Sequence, residues 1–153
     1  MQKTLMNVEI QILTADDGPQ PSQKDEVADF LFEHLDQYGD PRQHIMKAID
    51  YALGTSPGKG GFVVVARKEG KVVGAVIMNE THMGGYIPEN ILVYIAVDGA
   101  HRGEGIGGQL MKHALEHSTG DVALHVEPDN PACKLYEKVG FTNKYLEMRY
   151  SKD

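Results

Sequence analysis

Arg102 and the glycines at positions 103, 105, 107 and 108 are the residues whose types and spacing could do chemistry in this chain of 153 residues. They lie between an apolar stretch, 91–97, that is typical of a buried strand and a segment from Ile106 onward with helical spacing. Backbone N–H groups at the start of a helix lack an intrahelical partner and lie at the positive end of the helix dipole, so they bind anions. The stretch 90–117 therefore predicts a phosphate or diphosphate site.

Two glycine spacings overlap in this stretch. Gly103, Gly105 and Gly108 satisfy the G-x-G-x-x-G pattern of dinucleotide-binding proteins, and Glu127 stands where a ribose-binding acid is expected. A polar connector separates the strand from the first glycine, however, and only 26 residues follow Glu127. A dinucleotide-binding oxidoreductase module is thus an alternative with two features against it.

The second spacing is Arg102-x-x-Gly105-x-Gly107, and with it the sequence resembles the GNAT superfamily of N-acetyltransferases over residues 62–150. In that family the spacing belongs to the acyl-CoA signature, and a second signature lies downstream in the expected order. The residues that carry the resemblance are Ile95-Ala96-Val97, Arg102, Gly105, Gly107, Asn130, Tyr136 and Gly140-Phe141.

The resemblance implies acetyl-CoA as co-substrate and no metal. The N–H groups of 103–107 can face a pyrophosphate, with fixed positive charge from Arg102. The pantetheine chain would bond like an added strand to the backbone of Ile95 and Val97. The implied CoA-binding residues are Ile95, Ala96, Val97, Arg102, Gly103, Glu104, Gly105, Ile106, Gly107, Gly108, Asn130 and Tyr136.

Tyr136 matches the tyrosine that the family uses as general acid. A phenol has a pKa of roughly 10 and a thiol of roughly 8.5, so Tyr136 would still hold a proton for the departing thiolate. The general base is open: Glu80, Glu89, Glu127 and a chain of waters are candidates, because Ile91 stands where some family members have a glutamate. Asn130 is expected mainly to cap the helix that carries Tyr136, with a cofactor contact as its second role.

Two further patterns indicate no metal site. His113 and His117 lie within an H-x-x-E-H pattern known from zinc proteases, yet their helix already has an apolar face for packing and little chain remains for a third ligand. The one cysteine, Cys133, excludes an internal disulfide and a multi-cysteine metal site.

The charge of the chain indicates which kinds of partner it can bind. The formal net charge is −7, which argues against general affinity for nucleic acid or anionic lipid. Residues 14–57 hold nine acidic and three basic side chains, so a small cationic acceptor is slightly favoured over a protein. No apolar run is long enough for a membrane span and no leader pattern is present, so a cytoplasmic location is expected. A homodimer is a further expectation, because dimers are common among proteins of this resemblance.

The surrounding elements predict one α/β domain over residues 1–153. The order is β-α-α-β-β-β-α-β-α-β, with strands expected at 62–67, 72–78 and 122–126 and terminal strands at Phe141 and 145–150. Helices are expected from Ser22 to near Gly39, and from Asp40 as cap with Pro41 in the first turn. The resemblance implies a GNAT-like acyl-CoA N-acyltransferase fold: a mixed, mostly antiparallel sheet of about six or seven strands flanked by about four helices.

The sequence thus predicts an acyltransferase that moves an acetyl or short acyl group from acetyl-CoA directly to a primary amine. The alternative on the same fold is a non-catalytic acyl-CoA-binding or sensor domain. Tyr136 favours the enzyme, whereas the unassigned base leaves room for the sensor.

Overall fold

A computed structural model of the chain describes residues 8–152. In that part of the chain, five strands form one sheet in the order β1-β2-β3-β4-β5. The strands are β1 Val8–Leu13, β2 Gly61–Lys68, β3 Lys71–Glu80, β4 Asn90–Val97 and β5 Val122–Leu124. The α-helices are α1 Pro21–His34, α2 Arg42–Ala52, α3 Ile106–His117 and α4 Ala132–Lys138.

The sheet is mixed and mostly antiparallel, as predicted. Strands β1 to β4 pair antiparallel with their neighbours, and β5 alone lies parallel to its neighbour, β4. The four α-helices also match the prediction. A dinucleotide-binding fold has a mostly parallel, doubly wound sheet, so this topology contradicts the oxidoreductase alternative.

Helices cover both faces of the sheet, and side chains of β2 show how. Val63 and Val65 pack in one apolar layer with residues of α1 and α2. Val64 and Ala66 pack in the other layer, with residues of α3 and α4. The unbroken apolar run of β2 is therefore buried on alternate sides, as expected for a strand that is covered on both faces.

The terminal strands predicted at Phe141 and 145–150 are wrong, and the sheet has five strands rather than six or seven. Residues 141–152 form no strand, and Leu146 and Met148 are 84% and 89% exposed. Alternating apolar and polar residues indicate which side chains would lie on the same face of a strand. A strand forms only if a neighbouring strand accepts and donates its backbone hydrogen bonds. Strand β5 likewise ends at Leu124, two residues earlier than predicted.

The helix boundaries differ from the predictions at the junction of α1 and α2. Helix α1 ends at His34 instead of near Gly39, because Asp36 adopts a left-handed φ of +55° that cannot continue the helix. Its N-terminus is capped by Gln20 rather than Ser22. Helix α2 starts one residue after Pro41, which occupies the cap position predicted for Asp40.

Candidate functional site

An interruption of strand pairing opens a cleft in the sheet. Tyr94 and Leu92 of β4 pair with consecutive residues of β3, so Val93 between them is an extra residue that forms a β-bulge. On the other side of β4, the parallel pairing ends at Leu92 and Leu124. Beyond that point residues 93–97 have no strand partner on the β5 side within the described chain. An extended ligand chain can bond there as an added strand.

The glycine-rich loop lies at the end of β4 that borders this cleft, directly before α3. Gly103 and Gly105 have φ values of +86° and +85°, in the left-handed region that favours glycine. Counting from the start of α3, Gln109 is the first residue whose backbone N–H has an acceptor: it donates to the C=O of Gly105 at 3.1 Å. The N–H groups of 105–108 therefore have no backbone acceptor among the described residues, and they are available to an anion.

One acidic side chain, Glu104, lies inside the loop and contacts two neighbouring side chains. Glu104 Oε1 lies 3.2 Å from Lys68 Nζ and 3.2 Å from His101 Nδ1. The Lys68 ammonium, with a smaller effect from His101, holds the pKa of Glu104 below its usual range. The carboxylate stays paired, so it repels a bound phosphate less, and it ties the loop to the end of β2.

The Arg102 guanidinium bonds two other segments of the chain. Its Nε donates to the C=O of Val97 at 3.3 Å, and its Nη2 donates to the C=O of His34 at 3.1 Å. The same Nη2 lies 3.4 Å from Asp36 Oδ2. Arg102 thus contacts both the end of β4 and the carboxyl end of α1, and its predicted contact with a pyrophosphate stays a prediction.

Tyr136 lies on α4 in the apolar layer that also contains Ile95 and Val97 of β4. Its side chain is 8% exposed and lies edge-on to Phe141, with 6.0 Å between the ring centres. The hydroxyl has no hydrogen-bond partner among the described residues but is not sealed from solvent. Burial, with a smaller effect from the Cys133 thiol, raises the pKa of Tyr136 to about 12.

The loop between β5 and α4 is held by local bonds. Asn130 Oδ1 accepts the N–H of Ala132, the first residue of α4, at 2.9 Å. The cap position itself, predicted for Asn130, is held by Pro131. Cys133 Sγ donates to the C=O of Glu127 at 3.6 Å. These bonds fix the backbone of Glu127 relative to the helix that carries Tyr136.

Glu80 and Glu89, the predicted base candidates, lie together at the end of β4 opposite the glycine loop. With His82 and Asn90, among others, they line a cavity of about 210 Å³. Glu89 accepts the N–H of Asp121 at 2.8 Å, and this bond holds the pKa of Glu89 below its usual range. A lower pKa makes Glu89 a weaker base, although the catalytic roles of both residues stay predictions.

Two tyrosines outside the predicted site connect the cleft to the α1–α2 connector, residues 35–41. The Tyr94 hydroxyl, on β4, donates to the Asp40 carboxylate. The Tyr38 hydroxyl donates to the C=O of Asp129, in the loop after β5, at 3.4 Å. Burial and the nearby carboxylates, Asp129 first, raise the pKa of Tyr38. Nothing in the sequence distinguishes these tyrosines from packing residues.

The described residues contain no group of three or more His, Cys, Asp or Glu side chains placed to hold a metal ion. His117, from the H-x-x-E-H pattern, packs edge-on against Phe62 with 4.5 Å between the ring centres. None of the helices in residues 8–152 has the length and apolar character needed to cross a membrane.

Comparison with known proteins assigns the family. The model of the acetyltransferase (GNAT) domain matches residues 59–143, more than half of the chain. The chain therefore belongs to the GNAT acetyltransferase family. The five-stranded mixed sheet with four helices is its fold, and the match includes the glycine loop and Tyr136.

Similar proteins include a mycothiol acetyltransferase of Catenulispora acidiphila, 34% identical over 68 residues, which make up 41% of this chain and 22% of that protein. The N-alpha-acetyltransferase RimI of Mycobacterium tuberculosis is 43% identical over 58 residues, 37% of each chain. The chain thus spans well under half of the length of these relatives. Among solved structures, an aminoglycoside N-acetyltransferase in complex with CoA shares the fold with a TM-score of 0.69 at 17% identity, over 95% of this chain and 94% of that one.

Replacing Gly105 by alanine tests the anion site. A Cβ at the left-handed Gly105 strains the backbone that presents the free N–H groups, so we expect CoA to bind about tenfold more weakly or worse. Gly70 is the matched control: its φ of +82° is close to the +85° of Gly105, and it lies in the β2–β3 turn. Isothermal titration with CoA should show a loss for Gly105→Ala and none for Gly70→Ala. Equal affinity for the two variants would contradict the site.

Proposed function

We propose that this chain transfers an acetyl or short acyl group from acetyl-CoA directly to a primary amine in a ternary complex. The observation that carries the proposal is that three features lie next to one another along β4 and the loop after it. The free N–H groups of 105–108 suit a pyrophosphate, the unpaired backbone of 93–97 suits an extended chain, and Tyr136 lies in the layer beside that strand. Family membership supports the same reaction.

The reaction needs one attack and two proton movements. The neutral amine nitrogen attacks the thioester carbonyl carbon, a C–N bond forms, and the C–S bond then breaks. The amine loses a proton to a base, and the departing thiolate takes a proton from the Tyr136 hydroxyl. With a pKa raised to about 12, Tyr136 is protonated at neutral pH, as a general acid must be.

For the base, the geometry favours Glu127 over Glu80 and Glu89. Glu127 lies on the loop between β5 and α4, where it raises the pKa of Tyr38 and its C=O accepts the Cys133 thiol. Cys133 is one helical turn from Tyr136, so Glu127 shares the surroundings of the proposed acid. Glu80 and Glu89 line the cavity at the other end of β4. We propose that Glu127, directly or through water, receives the amine proton.

The acceptor proposed is a small cationic amine. Asp129 and Glu127 place negative charge beside Tyr38 at the cleft, which attracts an ammonium group. Several acidic side chains of 14–57 are instead bonded within the protein: Arg42 with Asp25 and Asp29, and Arg67 with Glu26. The charge near the cleft therefore supports a cationic acceptor more directly than the total charge does.

The test of this function is CoA release with spermidine, sisomicin and an alanine-initiated peptide as amines. We expect thiol release above the amine-free rate with at least one amine, and acetylated amine of matching amount by mass spectrometry. CoA binding without turnover on any of the three amines would instead support the acyl-CoA sensor.

Tyr136→Phe tests the general acid. We expect the turnover number to fall about tenfold or more, because the thiolate must leave unprotonated, while the CoA dissociation constant stays within about twofold. An acid works only while protonated, and the pKa of Tyr136 is about 12. The wild-type rate should therefore show no alkaline limb from Tyr136 up to about pH 10. Unchanged turnover in Tyr136→Phe would remove it from the mechanism.

Glu127→Gln tests the base against Glu80→Gln as control. If Glu127 receives the proton, its variant should lose about tenfold or more in the turnover number, because no carboxylate remains to accept the amine proton. Glu80→Gln should keep the wild-type turnover number. The opposite pattern would assign the base to the other end of β4.

A further inference from the structure

We propose that Arg102 is a positioning residue for the acceptor side of the site: its guanidinium holds the α1–α2 connector, residues 35–41, across the open end of the β4–β5 cleft. The inference rests on the proposed function, because it assigns the connector to the amine-binding side. It changes the role of the arginine from binding a phosphate to holding a wall of the site.

The connector touches both sides of the cleft. On the β4 side, Tyr94 donates to Asp40, and Arg102 bonds the C=O of His34 and the carboxylate of Asp36. On the β5 side, Tyr38 donates to the C=O of Asp129 at 3.4 Å. Strands β4 and β5 stop pairing at Leu92 and Leu124, and beyond that point the connector links β4 to the loop that follows β5.

Arg102 is suited to this position by its fork of donors. Nε and Nη2 bond two different segments at once, the C=O of Val97 at 3.3 Å and the C=O of His34 at 3.1 Å. The second contact places a cation at the carboxyl end of α1, where helix carbonyls lack partners and the dipole is negative. A lysine ammonium lacks the planar fork whose two nitrogens each face one of these carbonyls, so it does not match this geometry.

The contact with Asp36 holds an unusual backbone. Asp36 has a φ of +55°, and the connector turns sharply there before the next residues make a single helical turn. The carboxylate lies 3.4 Å from Arg102 Nη2, and both side chains are more than half exposed, so this ion pair alone is weak. The bond to the His34 carbonyl is expected to contribute more of the positioning.

The experiment compares Arg102→Gln, Arg102→Lys and Asp36→Asn with Arg149→Gln, a charge-matched control in the tail. Four quantities are measured: the dissociation constant of CoA by calorimetry, the KM and the kcat for spermidine, sisomicin and the alanine-initiated peptide, and the hydrogen exchange of amides 36–40.

If Arg102 holds the connector, Arg102→Gln raises the amine KM about fivefold or more, leaves kcat and the CoA constant within about twofold, and speeds amide exchange at 36–40. Arg102→Lys behaves the same way and Asp36→Asn shows a smaller effect. A double variant that combines Arg102→Gln with Asp36→Asn is no worse than Arg102→Gln, because both substitutions act on one contact. Arg149→Gln changes nothing.

CoA binding weakened tenfold in Arg102→Gln, with unchanged amide exchange at 36–40 and no effect of Asp36→Asn, would overturn the proposal and assign Arg102 to the pyrophosphate. If no amine is turned over by the wild type, the proposed function fails. Amide hydrogen exchange and CoA binding can still be measured in that case, and they decide the role of Arg102. Failure of the proposed function can therefore be distinguished from failure of the role proposed for Arg102.

Discussion

The parallel pairing of β4 with β5 ends after three residue pairs, and the functional site depends on that ending. The bulge at Val93 redirects β4 and leaves the backbone of 93–97 unpaired toward β5. Unpaired backbone at a strand edge is usually covered, because its N–H and C=O groups need partners. Here the missing partner is one that a ligand can supply, which is why we propose that the cleft, the glycine loop and Tyr136 act as one site.

In the glycine-rich loop, the groups available to an anion are backbone N–H groups rather than charged side chains. The free N–H groups precede α3, and the nearest carboxylate, Glu104, is already paired with Lys68. The guanidinium of Arg102 is bonded to the end of α1 instead. An anion site made of backbone donors needs glycine at the left-handed positions and little else from the side chains.

The fold class and the backbone conformation of the glycine loop could be predicted because they depend on local chemistry. Glycine at positions 103 and 105 indicates a left-handed backbone, and the apolar run of β2 indicates a buried strand. The bulge at Val93 could not be predicted, since an extra residue in one strand is visible only when its partner is known. The direction of the Arg102 side chain depends on where α1 ends, which is a tertiary property. For 145–150 the sequence predicted a strand that does not form. Apolar and polar residues alternate there, but the segment has no neighbouring strand to pair with.

The most direct test of the account is a crystal structure of the protein with CoA bound. The account predicts the pyrophosphate on the N–H groups of 105–108, the pantetheine amides bonded to the backbone of β4 beyond the bulge, and the sulfur within hydrogen-bond reach of the Tyr136 hydroxyl. A pantetheine chain that lies outside the β4–β5 cleft, or a sulfur far from Tyr136, would contradict it.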